Sequence, residues 1–296
     1  MRIRFDRDAR RHWTDLAVSV AALACVVLAL IPLGSILFEA TSRGLRAWGP
    51  DFFLKNQPAP CSPQISVTCE SGGIANALQG TLVLIALSSL LAIPFGILAG
   101  IYLSEYGNNR IGGAVRFFTD VMTGIPSIVV GIFVYGLLIL TARDIVFSTI
   151  AGTVALATIM VPIVARTSEE ALRLVPGSIR EAALALGIPK HRVTSRVVLS
   201  SARSGLVTGA LLGVARVGGE TAPLLFTAFG NPFGFQGLDH PADALTLRIY
   251  YYGISAFQNW QDLAWGSALL LVLLMLGISV ASRLALRNRF GGRSVA

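Results

Sequence analysis

Apolar residues gather in six long stretches, roughly 14–38, 74–103, 117–140, 148–165, 204–227 and 263–284, and polar residues collect between them. Each stretch can cross a bilayer core of about 30 Å at about 1.5 Å per residue, the fourth only just. Backbone polar groups in lipid must be satisfied within the segment, and runs of this length with scattered Gly and Pro achieve that only as helices. The pattern predicts an all-α polytopic membrane protein with six transmembrane helices. Pro94, Pro126 and Pro162 fall inside the second, third and fourth of these. There each removes a backbone hydrogen bond and permits a kink. The nearby Gly96, Gly124 and Gly131 suit either hinges or close helix packing.

Charge placement orients the helices. With the N-terminus taken as cytoplasmic, 18 of the 24 Lys and Arg fall inside, in 2–11, 105–116, 166–203 and 283–293. Five fall outside (Arg43, Arg46, Lys55, Arg143, Arg248) and Arg216 alone lies within a helix. This is the positive-inside pattern, with both termini cytoplasmic. At 54% hydrophobic and 14% charged residues, the composition excludes a disordered or ordinary soluble chain. The net charge of +8 is then directed at anionic lipid headgroups and a cytoplasmic partner, and it calls for no nucleic acid. Basic residues before the first stretch, and Ala22-Leu-Ala-Cys25 within it, bear a faint likeness to a cleaved leader. The apolar run nevertheless continues through Phe38, well past a signal core of about 7–15 residues, so a signal-anchor helix is expected. The chain divides into a basic tail 1–13, a first helix with its outer loop 14–73, a helical block 74–284 holding the cytoplasmic loop 166–203, and a tail 285–296.

The outer loop carries Cys61 and Cys69, which an oxidising compartment would let pair; otherwise they are two reduced surface thiols. Cys25 is a membrane-buried thiol without a partner. His12, His191 and His240 are dispersed, and no combination has metal-ligand spacing. No GxSxG or HExxH is present, and a P-loop is excluded because Lys55 follows Leu and Lys190 follows Pro. A non-catalytic chain without metal or cofactor is expected. Active transport would then draw on an ion gradient or on a partner that binds ATP.

Two segments carry the remaining chemistry. After Pro176-Gly177, Ser178 and Glu181 have the spacing of a capping box, the following Ala-Ala-Leu-Ala-Leu favours helix, and Gly187 with Pro189 ends it. A helix of about eight residues, near 12 Å, is marginal alone in water and must pack on something. Either it packs only on its own bundle, with Glu181 merely a cap, or it meets a partner as well. In the fifth stretch, Arg216 and Glu220 are four apart on one face. Charges at that depth cost about 2.5–3.5 kcal/mol each and turn toward a bundle interior or a wet cavity. The pair either holds helices together or lines a path for an anion. Arg offers forked donors and a carboxylate can only accept, a combination suited to an oxyanion that still carries a proton, as phosphate does near neutral pH and sulfate does not.

Residues 181–199 resemble the EAA loop of ABC importer permeases. The match is Glu181-Ala182-Ala183, then Gly187, Val197 and Leu199, with Val197 replacing the usual Ile and Ser200 the frequent Pro. The missing proline leaves the entry to the fifth helix less kinked than in the family. The resemblance implies a type I ABC importer permease fold, with Glu181, Ala182, Ala183 and Gly187 in a coupling helix docked on an ATPase. Thr123-Gly-Ile-Pro-Ser-Ile-Val-Val-Gly-Ile-Phe133 and Ala215-Arg-Val-Gly-Gly-Glu-Thr-Ala-Pro-Leu-Leu-Phe-Thr-Ala228 look like the A-type permeases of high-affinity phosphate importers, a resemblance covering about 71–285. It implies an inner-membrane subunit paired with a C-type permease, two ATPase copies that bind the ATP, and a periplasmic phosphate-binding protein met by outer loops such as 229–260. Arg216 and Glu220 would then line the substrate pathway. A permease for another oxyanion such as sulfate would share the coupling loop and differ in the fifth helix. A secondary anion transporter would need an ion-coupling site and no ATPase.

Overall fold

The computed structural model describes residues 2–61 and 71–290, with side chains over 13–61 and 71–280. Among the described residues the chain is helical, apart from an isolated bridge between Phe229 and Ala242. The helices are α1 (Arg2–Ala47), α2 (Pro50–Leu54), α3 (Ala75–Glu105), α4 (Arg110–Gly124), α5 (Ser127–Thr141), α6 (Thr149–Arg173), α7 (Gly177–Ala185), α8 (Lys190–Arg192), α9 (Leu199–Gly218), α10 (Ala222–Thr227), α11 (Leu245–Gly253) and α12 (Gln258–Phe290). Five segments are singly long and apolar enough to cross a membrane: Trp13–Ala47 of α1, α3, α6, the run Lys190–Gly218 ending in α9, and Gln258–Val280 of α12. The pair α4 and α5 supplies a sixth, bent by 107°.

That bend corrects the expectation of one continuous third helix containing Pro126. Pro126 is instead the N-cap of α5, with ψ 131°. Ile125 before it is extended at φ −72°, ψ 132°, because proline disfavours helical backbone in the residue it follows. The fifth stretch is also interrupted, since α9 stops at Gly218 and Glu220 lies in the break before α10. Pro94 and Pro162 stay inside α3 and α6, and Pro32 lies inside α1. Polar side chains fix two helix starts: Asn109 accepts from the Gly112 N–H at 2.7 Å, and Ser148 from the Ala151 N–H at 3.0 Å.

The bundle is built around α6. Helix α3 lies parallel to it at very short range, because a Cβ on Gly96 would meet Val164 Cβ at 2.6 Å and one on Gly100 would meet Ser168 Cβ at 2.5 Å. Helix α9 runs antiparallel along another side, with Gly205 against Ala171, Gly209 against Thr167 and Gly213 against Met160 and Val164. Such small-residue seams let backbones approach where no hydrophobic drive separates helix from lipid. One apolar cluster joins α3, α6, α9, α10 and α11 through Leu84, Leu156, Met160, Val217, Leu224 and Leu247. A second, with Phe52, Ile74, Leu245, Tyr252 and Leu263, ties α2 and α11 to α3 and α12 at one end. A third, with Leu172, Val175, Ala183, Val193, Val198 and Ala202, seats α7 at the other. Among its described side chains, helix α1 packs on the rest near its last turns, where Gly44 abuts Leu269 and Trp265, while from Trp13 to Phe38 every residue is exposed.

Candidate functional site

Helix α7 is fixed at both ends by local chemistry. Its start departs from the expected capping box: Pro176 is the N-cap and no side chain caps the helix, so Ser178 already lies inside it. The extended backbone of Pro176 (ψ 139°) takes the position the serine would have needed. Its end follows expectation. Gly187 has φ +76°, and the pair of bonds from Gly187 N–H to Leu184 O at 2.9 Å and from Ile188 N–H to Ala183 O at 3.4 Å closes a Schellman motif. Within α7, Ala183 is buried against the bundle while Glu181, Ala182 and Ala185 are exposed; Gly187, just past its end, is exposed as well. Leu186, 80% exposed, and the outward Leu184 and Ile179 add apolar surface to that side. The descent into α9 passes through α8 and a π-helical turn, Val193–Val198. The entry therefore carries a π-helical turn where the family's proline at position 200 is missing.

The inward side of α7 carries a group the sequence motif does not mention. Arg180 points back under the helix, with Nη2 3.0 Å and Nε 3.2 Å from Glu105 Oε1 at the end of α3. Its Nη1 and Nη2 also donate to the carbonyls of Val175 at 2.5 Å and Leu172 at 2.7 Å. Nearby, Arg116 donates to Glu169 Oε1 at 2.7 Å and to the carbonyls of Leu103 and Gly107, while Arg173 shares the same carboxylate oxygen. A cation in a helix's first turn opposes the helix dipole, and that misfit was the one signal in the sequence that Arg180 has business elsewhere.

At the break after α9, Arg216 Nη1 stands 2.8 Å from Glu220 Oε1, although the N–H is not aligned for a hydrogen bond. The two side chains differ sharply in surroundings. The Arg216 side chain is 62% exposed and that of Glu220 only 7%. Glu220 lines a small cavity together with Thr81, Ile85, Leu156, Leu224 and Thr246, and its carbonyl accepts from Thr246 Oγ1 at 3.0 Å. Its backbone position is set by the end of α9, where Glu220 N–H bonds Val217 O at 3.1 Å. What this site presents outward is a forked cation with a counter-charge behind it, a donor set for an oxyanion.

A third polar cluster lies at the end opposite α7. Arg248, counted from the sequence among the charges on the outer side, is buried, its Nε 2.5 Å from Asp243 Oδ2 and its Nη1 2.5 Å from Gln57 Oε1. Asn76 donates to the same Asp243 carboxylate and, at 2.9 Å, to the Asn231 carbonyl. Burial pushes the Asp243 carboxyl up to about 6 despite the attraction of Arg248, and it pushes Tyr252 up as well. Cys61 is buried in this region, and Cys69, its expected partner, lies outside the described residues. Cys25 is exposed on α1. Among the described residues no group of His, Cys, Asp and Glu could hold a metal ion.

Residues 92–288 match the family model of the binding-protein-dependent transport system inner membrane component. The phosphate transport system permease protein PstA of Yersinia pestis is 40% identical over 284 residues, covering 96% of this chain and 93% of that one. PstA of Xylella fastidiosa strain 9a5c is 43% identical over 250 residues, 84% of each chain. In fold, a chain of the MetNI methionine ABC transporter, solved in inward-facing conformations, superposes with a TM-score of 0.56 at 24% identity, covering 72% of this chain and 95% of that one.

Proposed function

Because this chain belongs to the PstA phosphate permeases, within the family of binding-protein-dependent transport system inner membrane components, we propose how its two polar sites serve phosphate import. It is a non-catalytic, multi-pass inner-membrane subunit of a phosphate ABC importer, and works with an ATPase and a further permease. In our reading the α7 end is cytoplasmic, as are both termini. The exposed side of α7, with Glu181 and Ala182, docks on the ATPase; buried Ala183 and the turn at Gly187 hold that side in place. The further permease is a C-type subunit, two ATPase copies bind the ATP, and a periplasmic phosphate-binding protein meets loops at the opposite end.

Arg216 is the anion contact in this reading, and Glu220 holds its guanidinium from behind. Both carry over to this chain from the spacing in the sequence, and the exposure of one beside the burial of the other supports the division of labour. ATP-driven closure of the ATPase moves α7, the packed helices α3, α6 and α9 rock with it, and hydrolysis resets them. A loaded binding protein favours the outward state by binding it better than the inward one.

The observation that carries the coupling assignment is the apolar outward side of α7, which a marginal nine-residue helix would not expose without a partner. The test is initial phosphate uptake at low micromolar concentration in cells lacking this chain and any second phosphate system. Wild type should restore uptake; Glu181→Lys, correctly inserted, should not. Uptake equal with and without the chain would end the assignment.

A further inference from the structure

The coupling helix is held to α3 at two points that converge on one residue. Arg180, in the first turn of α7, reaches the carboxylate of Glu105 at 3.0 Å, and Lys190, just beyond Pro189, donates from Nζ to the main-chain oxygen of the same Glu105 at 2.9 Å. Lys190 also lies 4.5 Å over the ring of Tyr106. The Glu105 side chain is 8% exposed and that of Arg180 is 23% exposed, so the contact is shielded on most sides. Arg180 simultaneously bonds the carbonyls of Leu172, in the last turn of α6, and of Val175, just beyond it. One guanidinium thus joins the ends of two parallel helices to the start of a third. From α7 toward α9 the chain runs through the π-helical turn and an apolar cluster.

From this geometry we infer that Arg180, with Glu105 and Lys190, is the positioning clamp that makes α7 a rigid extension of α3 and α6, so that force on α7 reaches those two helices. The inference rests on the reading of α7 as the ATPase-docking element. Arg180 touches neither substrate nor the outward side of α7, where Glu181 and Ala182 lie. Its role is therefore separable from docking. Four hydrogen bonds from one planar fork meet a carboxylate and two carbonyls at once, which a lysine ammonium on a flexible stem does not do in the same geometry.

The test uses the complete importer, reconstituted in proteoliposomes with its ATPase and loaded binding protein, carrying Arg180→Ala, Arg180→Lys or Glu105→Gln. Three quantities are read: ATPase retained on purification, stimulated hydrolysis, and phosphate delivered per ATP hydrolysed. Arg180→Ala should keep the ATPase and its stimulated hydrolysis while phosphate per ATP falls about tenfold, within the range for energetic coupling between sites. Arg180→Lys should fall between Arg180→Ala and wild type, and Glu105→Gln should show the same loss in a milder form. Unchanged phosphate per ATP in both Arg180→Ala and Glu105→Gln overturns the clamp, and so does loss of the ATPase from both complexes, which would make the contact one of assembly. Glu181→Lys run alongside separates the two readings. If it blocks ATPase retention while Arg180→Ala leaves phosphate per ATP unchanged, docking stands and the clamp falls. If Glu181→Lys has no effect, α7 is not the docking element and the clamp falls with it.

Discussion

Arg216 and Glu220 stand within ion-pair distance, yet one faces open space and the other is walled in. In the reading proposed above, the exposed guanidinium meets the anion and the enclosed carboxylate offsets its charge. Arg216→Ala should abolish phosphate uptake, and Arg216→Lys should recover only part of it, because an ammonium does not present the fork. Glu220→Gln should slow uptake while leaving the preference for phosphate over sulfate intact, as read by labelled phosphate uptake with sulfate in competition. A lost preference would move Glu220 into direct substrate contact. Asp243 poses a different residue-scale question. Burial raises it from 3.8 to about 6, so the folded state holds this proton more tightly than the unfolded chain. Its stabilising contribution is complete below 3.8 and is lost as pH rises toward 6. Thermal unfolding midpoints measured across that window should fall with rising pH from this group, and Asp243→Asn should flatten the dependence. The same substitution leaves Arg248 buried without its counter-charge and should cost about 3–5 kcal/mol. Sequence made Gly187 readable because a left-handed residue after a helix has few solutions. Arg180 and Arg248 were not readable, since Glu105 lies 75 residues away from the first, and burial of the second depends on how α2, α3 and α11 assemble.

Among the elements, the α3–α6 seam leaves the least room for change. A side chain at Gly100 would have to displace Ser168 or the Ala165 carbonyl, 2.5 and 2.9 Å from the Cβ position. Gly100→Val should destabilise the protein by at least about 1–3 kcal/mol of overpacking, seen as a lower unfolding temperature in detergent. Gly113→Val, where nothing lies within 4 Å of the Cβ position, provides the control and should leave that temperature nearly unchanged. The seam explains why Gly96 could be noticed in the sequence without its role being assigned: spacing shows that a backbone can be approached, and only the partner shows by what. The capping box failed for a similar reason, since Ser178 and Glu181 have suitable spacing but Pro176 already occupies the N-cap. Element boundaries inside the third and fifth stretches were likewise hidden. The long apolar stretches extend to both sides of Ile125-Pro126 and of Gly218-Gly219, and a hydrophobic run reports depth in the bilayer, not the continuity of the helix that fills it.

As a whole molecule, the chain displays a large apolar surface, including the exposed stretch Trp13 to Phe38 of α1, that only lipid and other subunits can cover. The six spans were legible because the bilayer imposes one length on all of them, whereas their arrangement is set by glycine seams and remote ion pairs that no local pattern encodes. The 107° corner between α4 and α5 has a consequence at this scale. Two helix ends meet there, with Gly124, Ile125 and Pro126 exposed on this chain and no side chain capping α5. Backbone groups without partners are tolerated at membrane depth only against protein or water. A lone copy would present that corner to lipid. The cell's membrane proteases should therefore treat an unassembled copy as damaged. Pulse-chase labelling should show its steady-state level falling about fivefold when the other permease is not made, and recovering when both are made together. Subunit stoichiometry would then be enforced after translation, by the survival of paired chains and the degradation of surplus ones.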